Sequence, residues 1–303
     1  MDRILQDLRF GLKLLWKEKA FSATVLVTLA VCIGANATIF SVINTVLLRP
    51  LPYAESDRLV VLFNSYPGAG ADRASSGGPD FFIRRDEVPA LEELASYQGW
   101  GNTVGEAGST ERARTMRVTS TFFPLLMVSP QLGRNFLWEE MEPGNHQKAI
   151  LTHDYCQERF GGDASVLGQD LRVDGEPFSI VGVLPERFRL AGENEARDFF
   201  IPIPFPPEMR TLEGWHNNNY QQLGRLAPDA TVERARAQVD ALNNRLIDEW
   251  PLPEARQILE DAGFHTQIHP AKHDMLRDIR PSLLVLWAGV GFVLLIGCVN
   301  IAN

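Results

Sequence analysis

The 303 residues carry a hydrophobic fraction of 45%, a formal charge of −9 and three cysteines, figures that on their own would describe an ordinary acidic protein. The distribution excludes that description: five basic side chains fall in residues 1–20, Phe21–Leu48 and Pro281–Asn303 carry no charge, and Arg49–Arg280 holds 24 basic against 35 acidic residues. So acidic a domain argues against a nucleic-acid partner, which needs clustered cations for phosphates. With Cys32 and Cys298 in the apolar stretches, Cys156 is alone in the domain and no disulfide framework exists.

In residues 1–20, Ile4, Leu5, Leu8, Leu12, Leu15 and Trp16 alternate with Arg3, Arg9, Lys13 and Lys17. This is the pattern of an amphipathic helix whose basic face suits the cytoplasmic headgroup surface or a cytosolic partner. The 28 uncharged residues Phe21–Leu48 exceed the roughly 20 that cross a bilayer core and the about 7–15 of a signal peptide, so they read as a retained transmembrane helix. Within it Ala30, Gly34 and Thr38, and on a neighbouring row Ala37, Ser41 and Thr45, recur every four residues as a small-residue packing seam. Asn36 and Asn44 read as packing contacts in preference to an ion path. Arg49, Pro50, Leu51 and Pro52 form the membrane exit. The positive-inside rule places the N-terminus in the cytoplasm and residues 49–280 outside.

The outer region is expected to open with a strand at Leu59–Phe63 and a Gly/Ser/Ala-rich loop from Tyr66 to Gly78. Pro79–Tyr97 is expected to be helical with a break at Pro89, followed by strands near Tyr97–Val104 and Glu111–Thr119 and a short helix at Thr121–Leu126. Ala149–Thr152 suits a strand and His153–Phe160 a helix stopped by Gly161-Gly162. Asp174-Gly175 marks a hairpin between Gln169–Val173 and Phe178–Val183. The prolines after Phe199-Phe200 suggest an edge segment. After a polar loop at His216–Asn219, Tyr220–Leu226 reads as a strand. Thr231 then caps a helix to Trp250 that buries Val232, Ala235, Val239, Leu242, Leu246 and Trp250 and leaves Asn243 elsewhere. Phe264–His269 is one more strand, leading to a second span at 281–303. Interleaved strands and helices make the fold class a membrane protein with an α+β extracytoplasmic domain, two transmembrane helices flanking a two-lobed mixed α/β core. The outer lobe, about 129–217, is inserted into the other.

Catalytic signatures are missing: the sequence holds no GxxxxGK[ST], HExxH, GxSxG or CxxC. His265, His269 and His273 are spaced by four, but Pro270 interrupts the helix that would align them, and an extended segment puts only His265 and His269 on one face. The acidic runs Glu139-Glu140-Met141-Glu142 and Glu193-Asn194-Glu195 lack the alternating ligands of a calcium loop and read as solvated. Cys156 reads as a buried small hydrophobe. No cofactor or metal is expected.

The run Leu29–Leu59, LAVCIGANATIFSVINTVLLRPLPYAESDRL, resembles the first transmembrane helix and exit of MacB/FtsX-like ABC-transporter permeases, especially the acidobacterial-type group with a MacB-like periplasmic core domain. The likeness continues through Thr119-Ser-Thr-Phe-Phe123, Gln131-Leu-Gly-Arg134, Arg159-Phe-Gly-Gly-Asp163, Val166-Leu-Gly168, Ile180-Val-Gly-Val-Leu-Pro185, Gly224–Val232 and Leu295–Asn303. Tyr155-Cys156 and Phe199-Phe200 depart from the family pattern as packing changes. Family members usually carry at least four transmembrane helices, so the chain reads as an N-terminal fragment.

The resemblance implies a non-enzymatic permease subunit in a bacterial inner membrane, assembled as a dimer and coupled to a cytosolic ABC ATPase for export or efflux of an undetermined substrate. Pro50 and Pro52 are then where motion of the membrane helices passes into the periplasmic domain. The rival expectation is a transmembrane sensor with an extracytoplasmic ligand-binding domain, which shares the charge and hydropathy profile.

Overall fold

A computed structural model describes residues 17, 19–106, 108–191, 196–251, 254–277 and 279–302. The basic helix expected before Lys17 and the acidic run at 193–195 lie outside the described residues. The chain divides into two units, one made of the segments up to Arg49 and from Leu276 onward, the other of Pro50–Met275.

The first unit contains two long helices, Lys19–Ile43 and Arg280–Ala302. Their most apolar stretches, Ser22–Ile43 and Arg280–Val299, have mean hydropathies of 2.1 and 2.5 and are 22 and 20 residues long. At about 1.5 Å per residue each can cross a bilayer core of roughly 30 Å. The helices pack through a row at spacings of three and four that includes Val25, Leu29, Cys32, Asn36, Ile39 and Ile43, all half-buried or buried. Gly297 is buried against this row, where a Cβ would lie 3.5 Å from Cys32 Sγ, in ordinary van der Waals contact. The Asn36 amide donates to Cys32 O at 2.9 Å and reaches Val290 O of the other helix at 3.5 Å. The first helix ends in a π-helical turn, Asn44–Leu48, closed by Arg49 N–H on Asn44 O at 3.0 Å.

The second unit is built on strands β1 (Leu59–Tyr66), β2 (Ala71–Ala74), β3 (Leu91–Glu106), β4 (Ser109–Val118), β5 (Leu132–Gly133), β6 (Lys148–Leu151), β7 (Asp170–Val173), β8 (Glu176–Val183), β9 (Phe199–Pro202), β10 (Gln221–Leu226) and β11 (His265–Pro270). Its helices are α1 (Gly78–Glu87), α2 (Phe122–Leu125), α3 (His153–Phe160), α4 (Val232–Glu249), α5 (Ala255–Asp261) and α6 (Ala271–Met275). One mixed sheet runs β11-β1-β10-β3-β4-β9-β6-β8-β5, with β2 on β1 and β7 joining β8 to β3. The β7 link closes a ring, β3-β4-β9-β6-β8-β7, around a core containing Val104, Leu151, Val173, Ile180, Phe199 and Ile201. Segment 129–217 supplies most of this ring and shares the sheet with the rest of the domain.

Side chains alternate across the sheet, so Val60, Leu62 and Leu94 form one core beneath α1 and α4. Leu59, Val61, Ala95 and Leu223 form another on the opposite face with Phe122, Phe123 and Phe200. Local signals place several elements. The Thr231 hydroxyl accepts from Arg234 N–H at 3.2 Å to start α4. Asp174 and Gly175 take φ of 51° and 86°, the two positive values that a tight hairpin requires. Gly161 and Gly162 end α3 at φ 67° and 74°.

Four expectations need correction. Residues 91–96 are strand, not helix, because Leu91, Leu94, Ala95 and Ser96 are buried and β3 is hydrogen-bonded to both β10 and β4; the ladder overrides the helical propensity of Leu-Glu-Glu-Leu. β9 is interior, between β4 and β6, since Pro202 sits at the strand's last position and Ile203 N–H makes the next bond, to Val118 O. Asn243 is buried and donates to Thr266 Oγ1 at 2.8 Å. The Tyr66–Gly78 loop contains β2, paired with β1.

Candidate functional site

The two points at which the outer domain is tied to the apolar helices arise on neighbouring strands. β1 and β11 are antiparallel, with Val60 opposite Pro270 and Ser65 opposite His265. The linker entering β1 and the linker leaving β11 therefore emerge side by side at one end of this ladder. Both also lie on the same face: Leu51 and Tyr53 of the first, and Ala271 and Met275 of the second, pack into the core around Phe122 and Phe200.

Polar contacts fasten each linker. Arg225, on β10 and 2% exposed, donates to Leu125 O at 2.9 and 2.7 Å, to Ala54 O at 3.1 Å and to Glu55 O at 3.2 Å. Arg58 donates from Nε to Leu226 O at 2.8 Å and pairs with Glu55 and Glu92. The Tyr53 hydroxyl donates to Arg189 O at 3.0 Å and accepts from Ala191 N–H at 2.8 Å, so the first linker also engages the segment after β8; burial pushes the Tyr53 phenol up. On the second linker Asp274 accepts a bidentate pair from Arg73 at 2.6 and 2.7 Å. Arg73 in turn lies over the Phe63 ring at 4.0 Å.

On the other face of β1 and β11 a buried polar cluster ties the same strands to α1, β10 and α4. Arg84, 1% exposed, pairs with Asp80 at 2.9 Å. It donates to Gln222 Oε1 at 2.8 Å, Ser76 Oγ at 3.1 Å, Asn64 Oδ1 at 2.8 Å and Thr266 Oγ1 at 2.9 Å. Asp80 accepts from Trp215 Nε1 at 2.9 Å and Gly77 N–H at 2.8 Å. Desolvation lowers the Arg84 pKa, against the raising effect of Asp80. Next to it Tyr66 OH pairs with His216 Nδ1 at 2.6 Å and accepts from Asn218 Nδ2 at 3.1 Å. Burial among Trp215, Trp250 and Phe264 lowers the His216 pKa to about 4 and raises the Tyr66 phenol to about 12. Truncating one member of such a cluster strands buried charge, so it fixes the strand pair's geometry.

Sequence reasoning singled out residues 49–52 but neither the Arg225 clamp nor the Arg84 cluster. Arg49, Pro50 and Pro52 are exposed and Leu51 is half-buried in the domain core. The seam residues Ala30, Gly34, Ala37, Thr38, Ser41 and Thr45 are all exposed and lie off the row that packs on the other helix; a Cβ on Gly34 would meet nothing within 4 Å. His269 stacks on Phe63 at 5.6 Å and on His273 at 6.3 Å, while His265 Nδ1 lies 2.9 Å from Gly263 O. Cys156 is buried, and desolvation raises its thiol pKa. The reading of 139–142 as a solvated run needs correction at Glu140, which is buried, holds Arg134 at 2.6 and 3.0 Å and caps Leu137 N–H at 2.8 Å. Glu142 pairs with Arg210 at 2.7 Å.

The family model for the MacB-like periplasmic core domain matches residues 22–242. The chain belongs to that family. Among curated relatives of this MacB-like chain, the pyoverdine export ATP-binding/permease protein PvdT of Pseudomonas syringae pv. tomato is 26% identical over 174 residues, covering 55% of this chain and 26% of the relative. PvdT of Pseudomonas aeruginosa is 25% identical over 174 residues with the same coverage. The chain thus spans about a quarter of the length of the curated relatives it matches. A crystal structure of a domain assigned to a permease of Porphyromonas gingivalis superposes with a TM-score of 0.55 at 18% identity, covering 72% of this chain and 92% of that one. At that identity the likeness is one of fold.

Proposed function

We propose that this chain belongs to the permease of an ABC-type transporter of the MacB/FtsX kind, in which a cytosolic ATPase moves the membrane helices and the outer domain changes pose to drive export. The observation that carries this reading is the β1–β11 pair. A displacement of either linker acts on one hydrogen-bonded ladder, clamped by Arg225 and Asp274 on one face and by Arg84 on the other, so it is transmitted to the domain as a whole. In this arrangement the N-terminus is cytoplasmic, the domain periplasmic, the membrane the bacterial inner membrane, and the permease a dimer. The exposed seam from Ala30 to Thr45 is offered to helices of the second copy or of the rest of the permease.

The sequence has no phosphate-binding loop of the GxxxxGK[ST] kind, so ATP hydrolysis falls to another polypeptide or another segment. Outward transport is supported by the relatives, whose names join an ATP-binding permease to pyoverdine export. The test is reconstitution of the full-length product with each candidate cytosolic ATPase of its genome. One ATPase is expected to co-purify and to change its hydrolysis rate; if none binds and none responds, active transport is abandoned.

A further inference from the structure

The mouth of the β3-β4-β9-β6-β8-β7 ring holds a cationic group that the coupling role does not use. Arg117, half-buried near the end of β4, has no hydrogen bond or ion pair to any described residue, and its Nε is shielded from solvent with no acceptor. In a domain with an acidic excess that is unusual, because buried donors are ordinarily satisfied. Register explains its position. Trp100 faces Thr115 across the β3–β4 ladder, so Arg117, two residues on, is its diagonal neighbour, and the guanidinium lies over the indole at 4.1 Å.

The indole itself is 40% exposed. His146, just before β6 and edge-on to Phe178 at 6.2 Å, leaves a buried Nδ1 with no partner. Arg117 pairs with Ile201 in the β4–β9 ladder and Ile150 with Phe200 in the β9–β6 ladder, so the end of β4 and the start of β6 lie at the same end of the ring; burial, and then the charge of Arg117, lower the His146 pKa. The carboxylates nearby are engaged: Asp174 accepts from Asn102 Nδ2 and from Thr103 N–H at 2.7 Å, and Glu176 from Gln147 Nε2 at 3.3 Å. A partly exposed indole, a guanidinium with no hydrogen-bond partner among the described residues and an imidazole Nδ1 without one thus lie at one end of the ring, and a barrel mouth is a common location for ligand sites.

We infer that the ring mouth at Trp100, Arg117 and His146 binds a planar carboxylate, whose oxygens take the Nη N–H groups of Arg117 and whose apolar part covers the exposed part of the Trp100 indole. Arg is suited to this because its fork matches a carboxylate in two parallel bonds. The carboxylate could be carried by a free small molecule or by a peptide, and the chemistry of recognition is the same. The inference stands apart from the transport reading, since binding is measured with no ATPase present.

The experiment titrates the full chain in detergent micelles with benzoate, with benzamide and with N-acetyl-phenylalanyl-aspartate, by calorimetry and by the Nε–Hε resonance of Arg117, assigned through its loss in Arg117→Lys. Benzoate or the acetylated dipeptide is expected to bind and shift that resonance, while benzamide, which keeps the ring without the charge, does not. Arg117→Met is expected to weaken binding by about tenfold or more, as loss of a charge-assisted pair does. Tighter binding of the dipeptide assigns a peptide ligand, and tighter binding of benzoate a small molecule. The resonance in the unmutated chain decides the matter should Arg117→Met fail to fold. An unmoved resonance with both carboxylates, equal binding by benzamide, or undiminished binding by a folded Arg117→Met overturns the assignment.

Discussion

Val60 of β1 stands directly opposite Pro270 of β11, so the residue that receives the chain from one apolar helix and the residue that returns it toward the other are cross-strand partners. Two linkers that could have attached anywhere on an eleven-stranded sheet share one ladder. Buried polar side chains hold that ladder in place, and each can be removed singly.

Arg225 is the clamp of the first linker, and its removal strands the carbonyls of Leu125, Ala54 and Glu55. Arg225→Met is expected to lower stability by about 2–4 kcal/mol, in the range for losing a buried, charge-assisted group. Denaturant unfolding checks this, and hydrogen exchange should show the loss concentrated at residues 53–58.

Asp80 and Arg84 form a pair in which each is 1% exposed, so deleting one leaves the other buried and uncompensated. Arg84→Met is expected to destabilise by about 3–5 kcal/mol. The double variant Asp80→Asn with Arg84→Met should recover part of that loss, and a double-mutant cycle measures the coupling. Additive losses would show that the pair is not energetically joined.

The His216 pKa falls from 6.5 to about 4 on folding, mainly by desolvation. The unfolded chain therefore binds more protons between these values, and stability rises with pH across the window. This contribution is complete above pH 6.5 and is lost as pH falls toward 4, to a limit of about 3 kcal/mol. Replacing the ring in His216→Gln should flatten the stability profile over that window relative to the unmutated chain.

Gly34 lies in the exposed seam, and a Cβ placed there would meet open space. Gly34→Leu is therefore expected to leave the helix pair within one chain intact and to weaken association with further helices. Crosslinking of the full-length permease in membranes reads the difference; unchanged association would remove the seam from the interface.

Elements fixed by neighbouring residues were legible in the sequence. Thr231 capping α4 and Asp174-Gly175 turning the β7–β8 hairpin carry their signal within a few residues, and the two apolar helices each carry theirs within one continuous stretch. The strand at Leu91–Ser96 was not, because its spacing fits a helix and only burial between β10 and β4 selects the extended form. The polar cluster was illegible for a different reason. Asn64, Arg84, Gln222 and Thr266 are ordinary residues singly and meet only when strands 200 residues apart in sequence are paired. Arg225 likewise looks like an exposed strand cation until the 50–58 linker folds over it.

The central claim is that motion of the membrane helices reaches the domain through the β1–β11 junction. The direct measurement is a spin-label distance between the domains of two copies in the proposed complex of the full-length protein with its ATPase. It uses Asp229→Cys at an exposed site with Cys298→Ala, because Cys298 is itself exposed. The distance is expected to change between nucleotide-free and ATP-trapped states, and the change is expected to disappear when Gly-Ser-Gly is inserted between Arg49 and Pro50. An undiminished change in the inserted chain would contradict the account.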